Sequence, residues 1–128
     1  MRVLLDTHAL IWFCEGSSEL SGTARAIIED TGNERFVSHA TAWEVAIKCS
    51  IQKLKLQFPY NHIFPRAIAA NGFQTLTPSF QHYEQLLQLP LHHRDPFDRL
   101  LIAQAQVEDL TLVTRDPDFT KYGIPVIW

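Results

Sequence analysis

Val3-Leu4-Leu5-Asp6-Thr7-His8-Ala9-Leu10 is the stretch on which the reading of this chain turns. Three apolar, strand-prone residues run into an aspartate, and a helix-like pattern follows. The aspartate therefore belongs at the carboxyl end of the first strand of an α/β sheet. Ligands of open α/β sheets gather along that edge. What the rest of the sequence must decide is whether other acids reach the same place.

They have a frame that allows it. Strand-like runs at Arg2–Leu5, Phe36–Ser38, Phe73–Leu76, Leu110–Val113 and Pro125–Ile127 alternate with helical patterns over roughly 7–14, 23–31, 40–52, 61–71, 79–88 and 96–108. Asp6, Ser21 and Asp95 stand at N-cap positions, and Pro96 takes the first helical position after Asp95. Gly16, Gly32 and Gly72 stop three of the helices. In the 40–52 helix, Trp43, Ala46, Ile47 and Ile51 keep helical spacing and read as its buried stripe; in the 79–88 helix, Tyr83, Leu86 and Leu87 do. The segment 61–71 reads as helical despite Pro65. Alternating strands and helices predict a three-layer α/β/α sandwich around a mainly parallel central sheet.

Length and composition agree. The 128 residues suit one domain spanning 1–128, and 46% hydrophobic with 20% charged residues is the balance of a soluble protein with a real core. No apolar run approaches the ~18 residues of a membrane span. The first residues lead straight into a strand without a signal-peptide pattern, so a cytoplasmic location is expected. Cys14 and Cys49 lie in apolar helical segments and read as reduced, near-core thiols. A net charge of −3 argues against a protein that coats nucleic acid by bulk charge, though not against a nuclease with an acidic centre.

Four acids draw attention: Asp6, Glu44, Asp98 and Asp116. Asp6 and Asp116 follow apolar runs and should emerge at the carboxyl edge of the sheet. Glu44 and Asp98 lie in helices early enough to lean over it. Converging carboxylates repel, and one or more is forced neutral unless a cation sits among them. Oxygen ligands without cysteine or clustered histidine select Mg²⁺ or Mn²⁺. Such an ion suits hydrolysis of a phosphodiester. Each acid also has a plainer role open to it. Asp6 fits a cap, Glu44 with Lys48 an (i, i+4) pair, and Asp98 the favourable acid of a first turn. Asp116-Pro117-Asp118 fits a turn, and Asp95 fits the cap better than ligation.

Leu4-Leu5-Asp6-Thr7-His8-Ala9-Leu10, Ser38-His39-Ala40-Thr41-Ala42-Trp43-Glu44-Val45-Ala46-Ile47-Lys48, His93-Arg94-Asp95-Pro96-Phe97-Asp98-Arg99-Leu100-Leu101-Ile102-Ala103-Gln104-Ala105 and Leu112-Val113-Thr114-Arg115-Asp116 together resemble the PIN-domain family. The likeness is to its VapC branch, the toxins of type II toxin–antitoxin systems, and it covers nearly the whole chain. It implies a parallel α/β/α fold and a Mg²⁺- or Mn²⁺-dependent endoribonuclease leaving a 5′-phosphate and a 3′-hydroxyl. It also implies a homodimer, blocked by a cognate antitoxin that inserts a segment often bearing arginine. Carried over, Asp6, Glu44 and Asp98 match the metal-site acids, and Asp116 the more variable fourth. Thr7, Ser38 and Thr114 match small polar residues of the pocket.

Around these, Arg94, Arg99 and Arg115 flank the acids and suit either phosphate contacts or local pairing. His92 and His93 read as loop bystanders. Trp12, Trp43 and Trp128 have faces on which bases could stack, but Trp43 reads as core and Trp12 as core or dimer face. Two other function classes fit less well. A phosphatase of the haloacid-dehalogenase type expects a second aspartate where His8 stands, and a phosphotransfer receiver expects paired acids and a late lysine. A PIN-like fold that merely binds a partner has no need to gather negative charge.

Overall fold

The strand alternation that opens the sequence also divides the core. In the computed structural model, which describes all 128 residues, Val3 and Leu5 face one side of the sheet and Leu4 the other. The elements in chain order are β1 (Arg2–Leu5), α1 (Thr7–Glu15), α2 (Gly22–Glu29), β2 (Glu34–Ser38), α3 (His39–Ser50), α4 (Ile68–Ala70), β3 (Gln74–Leu76), α5 (Phe80–Leu87), α6 (Pro96–Glu108), β4 (Thr111–Val113) and β5 (Val126–Ile127). The five strands form one sheet in the order β3-β2-β1-β4-β5, and every pairing is parallel.

One apolar layer joins Val3, Leu5, Val37 and Val113 to Ala9, Leu10 and Ile11 of α1, Ala24 and Ile28 of α2 and Val45 of α3. The opposite layer joins Leu4 and Leu112 to Leu101, Ile102, Ala103 and Ala105 of α6, with Phe119 and Tyr122. Burying both faces is what a parallel sheet requires. The chain steps outward from β1 to β2 to β3, then crosses back past β1 to β4. The switch point therefore lies between β1 and β4, where the two strand ends diverge and leave a crevice. No helix is long and apolar enough to cross a membrane.

Caps follow the sequence closely. Asp6, Ser21 and Asp95 accept hydrogen bonds from first-turn amides, and Gly16 closes α1 in the left-handed conformation at φ 63°. Cys14 and Cys49 are free and half-buried. Burial, with Glu15 beside it, pushes the Cys14 thiol up to about 11, so it stays protonated.

Three expectations fail. The 61–71 segment is not one helix: a 3₁₀ turn at Tyr60–His62 and a wide turn at Ile63–Ala67 precede the short α4, and Phe64 leaves helical geometry at φ −112°, ψ 91°. Pro65 accounts for this, because its ring drives the preceding residue out of the helical region. In α3 the buried residues are Ala40, Thr41, Glu44 and Val45, whereas Trp43 is 63% exposed and Ile51 54%. Ala46 is exposed too and Ile47 only half-buried, while the polar pair Thr41 and Glu44 faces inward. In α5 Tyr83 and Leu87 face solvent, and His82 is the residue buried. Its Nδ1 accepts the Ser79 amide and its Nε2 meets Glu108, so polar bonds set the helix phase.

Candidate functional site

The first turn of α1 starts where β1 ends, which fixes Asp6 at the switch point. Its Oδ1 accepts the Ala9 amide at 2.7 Å. Ser38, at the end of β2, caps α3 by accepting the Ala40 amide at 3.0 Å, and Glu44 follows on the inward face of α3. Asp95 caps α6 through the Phe97 and Asp98 amides at 2.8 and 3.3 Å, which sets Asp98 in its first turn. Asp116 comes three residues after β4. These four acids, with Thr7, His8, Lys48, Asp95 and Phe119, line one cleft of about 120 Å³ at the carboxyl edge of the sheet. An adjoining hollow of about 300 Å³ shares Asp6, His8 and Asp116 and is completed by Trp12, Thr114, Arg115 and Pro117. A third cavity, of about 250 Å³ between Val37, Tyr60, Phe64 and Ile68, is mainly apolar and holds no carboxylate.

Electrostatics in the cleft are strained in the way crowded acids must be. Burial, then Asp95, Glu44 and Asp6, push the Asp98 carboxyl up to about 7, against a smaller opposing pull from His93. Burial likewise raises Asp6, opposed by hydrogen bonds from Thr114 and the Ala9 amide. Glu44 is 4% exposed and is held at both oxygens: the Thr7 hydroxyl donates to Oε1 at 2.6 Å, and the Lys48 ammonium donates to Oε2. Burial works against charge on Lys48, but Glu44, Asp95 and Asp98 together carry its pKa upward. Lys48 thus occupies the place of a partial counter-ion.

Asp116 is fixed by His93, which the sequence reads as a loop bystander but which is largely buried and hydrogen-bonded at both ring nitrogens. Both the His92 and His93 amides donate to the Tyr122 hydroxyl oxygen, at 3.1 and 2.8 Å. With its lone pairs taken, that hydroxyl donates to His93 Nδ1 at 3.1 Å, which leaves Nε2–H to donate to Asp116 Oδ2 at 3.0 Å. The other Asp116 oxygen accepts the Asp118 amide at 2.9 Å. The only sequence signal for this was His93 lying in the loop before Asp95.

The remaining residues fall out unevenly. Thr7 lines the acid cleft and Thr114 the adjoining hollow. Ser38 is fully buried, its hydroxyl engaged in the α3 cap, and it borders the apolar cavity instead. Arg99 reaches the carbonyls of Pro90, Leu86, Leu89 and His93, so it ties the 90–94 loop to α5. Arg94 is exposed. Arg115 lies over the Trp12 ring at 4.5 Å and pairs with Glu19.

No three of the chain's His, Cys, Asp and Glu side chains close tightly enough to cage an ion. The donor chemistry nevertheless fits a hard cation. Mg²⁺ is held through one or two carboxylates with several waters retained, and an open cleft of acids offers that. A caged zinc site, with sulfur or clustered nitrogen donors, has no counterpart here.

Comparisons with known proteins agree with this architecture. The PIN domain family model matches residues 3–125. The structure of VapBC2 from Rickettsia felis, bound to a DNA fragment from their promoter, superposes with a TM-score of 0.70 at 13% identity, covering 99% of this chain and 98% of that one. FitAcB from Neisseria gonorrhoeae gives 0.67 at 19% identity, covering 100% and 97%. A toxin–antitoxin complex from Klebsiella pneumoniae gives 0.65 at 25% identity, covering 98% and 96%. No curated protein sequence matches the chain.

Proposed function

The chain belongs to the PIN domain family, and we propose that its acidic cleft is the centre of an endoribonuclease dependent on Mg²⁺ or Mn²⁺, the toxin of a type II toxin–antitoxin pair. One observation carries the reading. Asp6, Glu44, Asp98 and Asp116, spread over the sequence, line a single cleft beside the switch point of the sheet. A fold has no structural use for that much like charge in one place, and burial, with Asp95, Glu44 and Asp6 beside it, drives Asp98 towards neutrality.

Asp6, Glu44 and Asp98 would hold the ion, with Asp116 holding a second ion or orienting a water. When bound, the ion supplies Lewis-acid polarisation of a phosphoryl oxygen and makes water acidic enough to attack near neutral pH. The protein's own work is positional. Thr7 and Lys48 fix both oxygens of Glu44, and His93 fixes Asp116. No side chain is needed as a covalent nucleophile, and the products carry a 5′-phosphate and a 3′-hydroxyl. Arg115 and Arg94, both exposed, suit contacts to flanking phosphates, which position RNA without reading its sequence.

The partners that follow are an RNA substrate, a cognate antitoxin that covers the cleft, and a second copy of the chain in a homodimer, in the cytoplasm. Support for the antitoxin comes from the Klebsiella pneumoniae neighbour, itself a toxin–antitoxin complex. The test is Asp6→Asn. It should abolish Mn²⁺-dependent cleavage of total RNA while far-UV circular dichroism stays that of the parent. Parent-like cleavage by the variant would remove the centre from this cleft.

A further inference from the structure

The chain has three tryptophans, and they are not equivalent. Trp12 has Arg115 over its ring at 4.5 Å and His8 stacked at 5.3 Å, and Trp128 packs against its edge at 6.0 Å while joining the core. Trp43 alone is mostly exposed, at 63%. Its one aromatic neighbour is Phe97, 5.4 Å away and nearly perpendicular at 77°. Edge packing of that kind covers at most one face of the indole. Trp43 directly precedes Glu44 on α3, and Phe97 directly precedes Asp98 on α6. The pair therefore bridges the two helices that bring acids into the cleft, each ring one residue along the chain from a cleft acid.

We propose that Trp43, braced by Phe97, is a stacking platform for an unpaired base of single-stranded RNA next to the bond that is cut. The inference rests on the reading of the cleft as ribonucleolytic. Charge supports it. The cleft's one lysine is engaged by Glu44, and Arg115 is shared with Glu19. Arg94 and Arg115 can contact flanking phosphates, but two arginines give little counter-ion release, so part of the affinity must come from another source. Base–aromatic stacking is such a source, and it needs a base freed from its duplex. An exposed indole on a capped helix is also pre-organised, since only two side-chain torsions must be fixed.

The experiment maps a cut site in total RNA with the parent protein, then measures cleavage of an oligoribonucleotide spanning it, free and annealed to its complement. Trp43→Ala should raise KM for the free strand by about 5- to 100-fold, the range of one lost stack, and change kcat far less. Trp43→Phe should recover most of the loss, and the duplex should resist all three proteins. Because Trp43 is exposed, both variants should melt with the parent. If the parent cuts no RNA at all, the reading of the cleft falls and this inference with it. If the parent cuts and Trp43→Ala keeps the parental KM, loses only kcat, or cuts duplex equally well, the platform is refuted while the ribonuclease stands. A changed sedimentation coefficient with unchanged RNA kinetics would make the indole a protein contact, and would likewise refute it.

Discussion

Replacing Asp98 by asparagine should stabilise this protein while disabling it. Asp98 sits with its carboxyl at about 7 instead of 3.8 because it is buried and because Asp95, Glu44 and Asp6 are near. A raised folded-state pKa means that the folded protein holds this proton more tightly than the unfolded chain. Stability is greatest where the carboxyl is protonated in both states, falls as pH rises from about 4 to about 7, and stays reduced above. Taken at face value, that displacement is worth about 4 kcal/mol at pH 8. The residue is only half-buried, so roughly half of that survives screening. Asparagine also forgoes the favourable charge in the first turn of α6, worth about 0.5 kcal/mol. The net gain is about 2 kcal/mol at pH 8, and a few tenths at pH 5. For a chain of this size that is a rise in Tm of about 5–10 °C at pH 8. The assay is thermal melting by circular dichroism in EDTA at the two pH values. Saturating Mg²⁺ should stabilise the parent and close the gap, because binding to the native state alone adds stability. A variant less stable than the parent at pH 8, or a difference independent of pH, would refute the reasoning.

Two further expectations separate structural from chemical roles. Ser38→Ala removes a buried cap of α3 and should cost about 1 kcal/mol in urea unfolding, with cleavage per folded molecule nearly unchanged; a loss of cleavage at full stability would return Ser38 to the pocket. Lys48→Met strips the cleft of its ammonium and should cost about 1–2 kcal/mol without divalent ions, and Mg²⁺ should then raise its Tm more than it raises the parent's; equal Mg²⁺ stabilisation would mean that Lys48 does not stand in for a cation.

Much of this site was legible before any coordinates because strand ends are easy to find. Val3–Leu5 and Thr111–Val113 could hardly be anything but strands, so Asp6 and Asp116 had to lie beside one another at the carboxyl edge once the sheet was parallel. Asp98 followed from the Asp95-Pro96 start signal. What failed was the inference from apolar spacing to burial. Trp43 and Ile51 keep helical period, yet α3 turns Thr41 and Glu44 inward, because the cleft, not the apolar core, lies under its first turns. Tyr83 and Leu87 failed alike, since His82 fixes the phase of α5 by hydrogen bonds that periodicity does not weigh. Arg99 and His93 were beyond reach for a different reason. Their partners, four carbonyls for one and Tyr122 with Asp116 for the other, come from separate segments joined only by the fold.

The central claim is that the crowded acids of this cleft become a cation site. It is tested most directly by titrating Mn²⁺ calorimetrically in buffers of different ionisation enthalpy, which counts the protons released on binding. At pH 6 the parent should release at least one proton, because Asp98, and any Asp6 still protonated, must ionise to accept the ion; at pH 8.5 it should release fewer, and Asp6→Asn should lose the binding heat. Binding that releases no proton at pH 6, or that survives Asp6→Asn unchanged, would contradict the account.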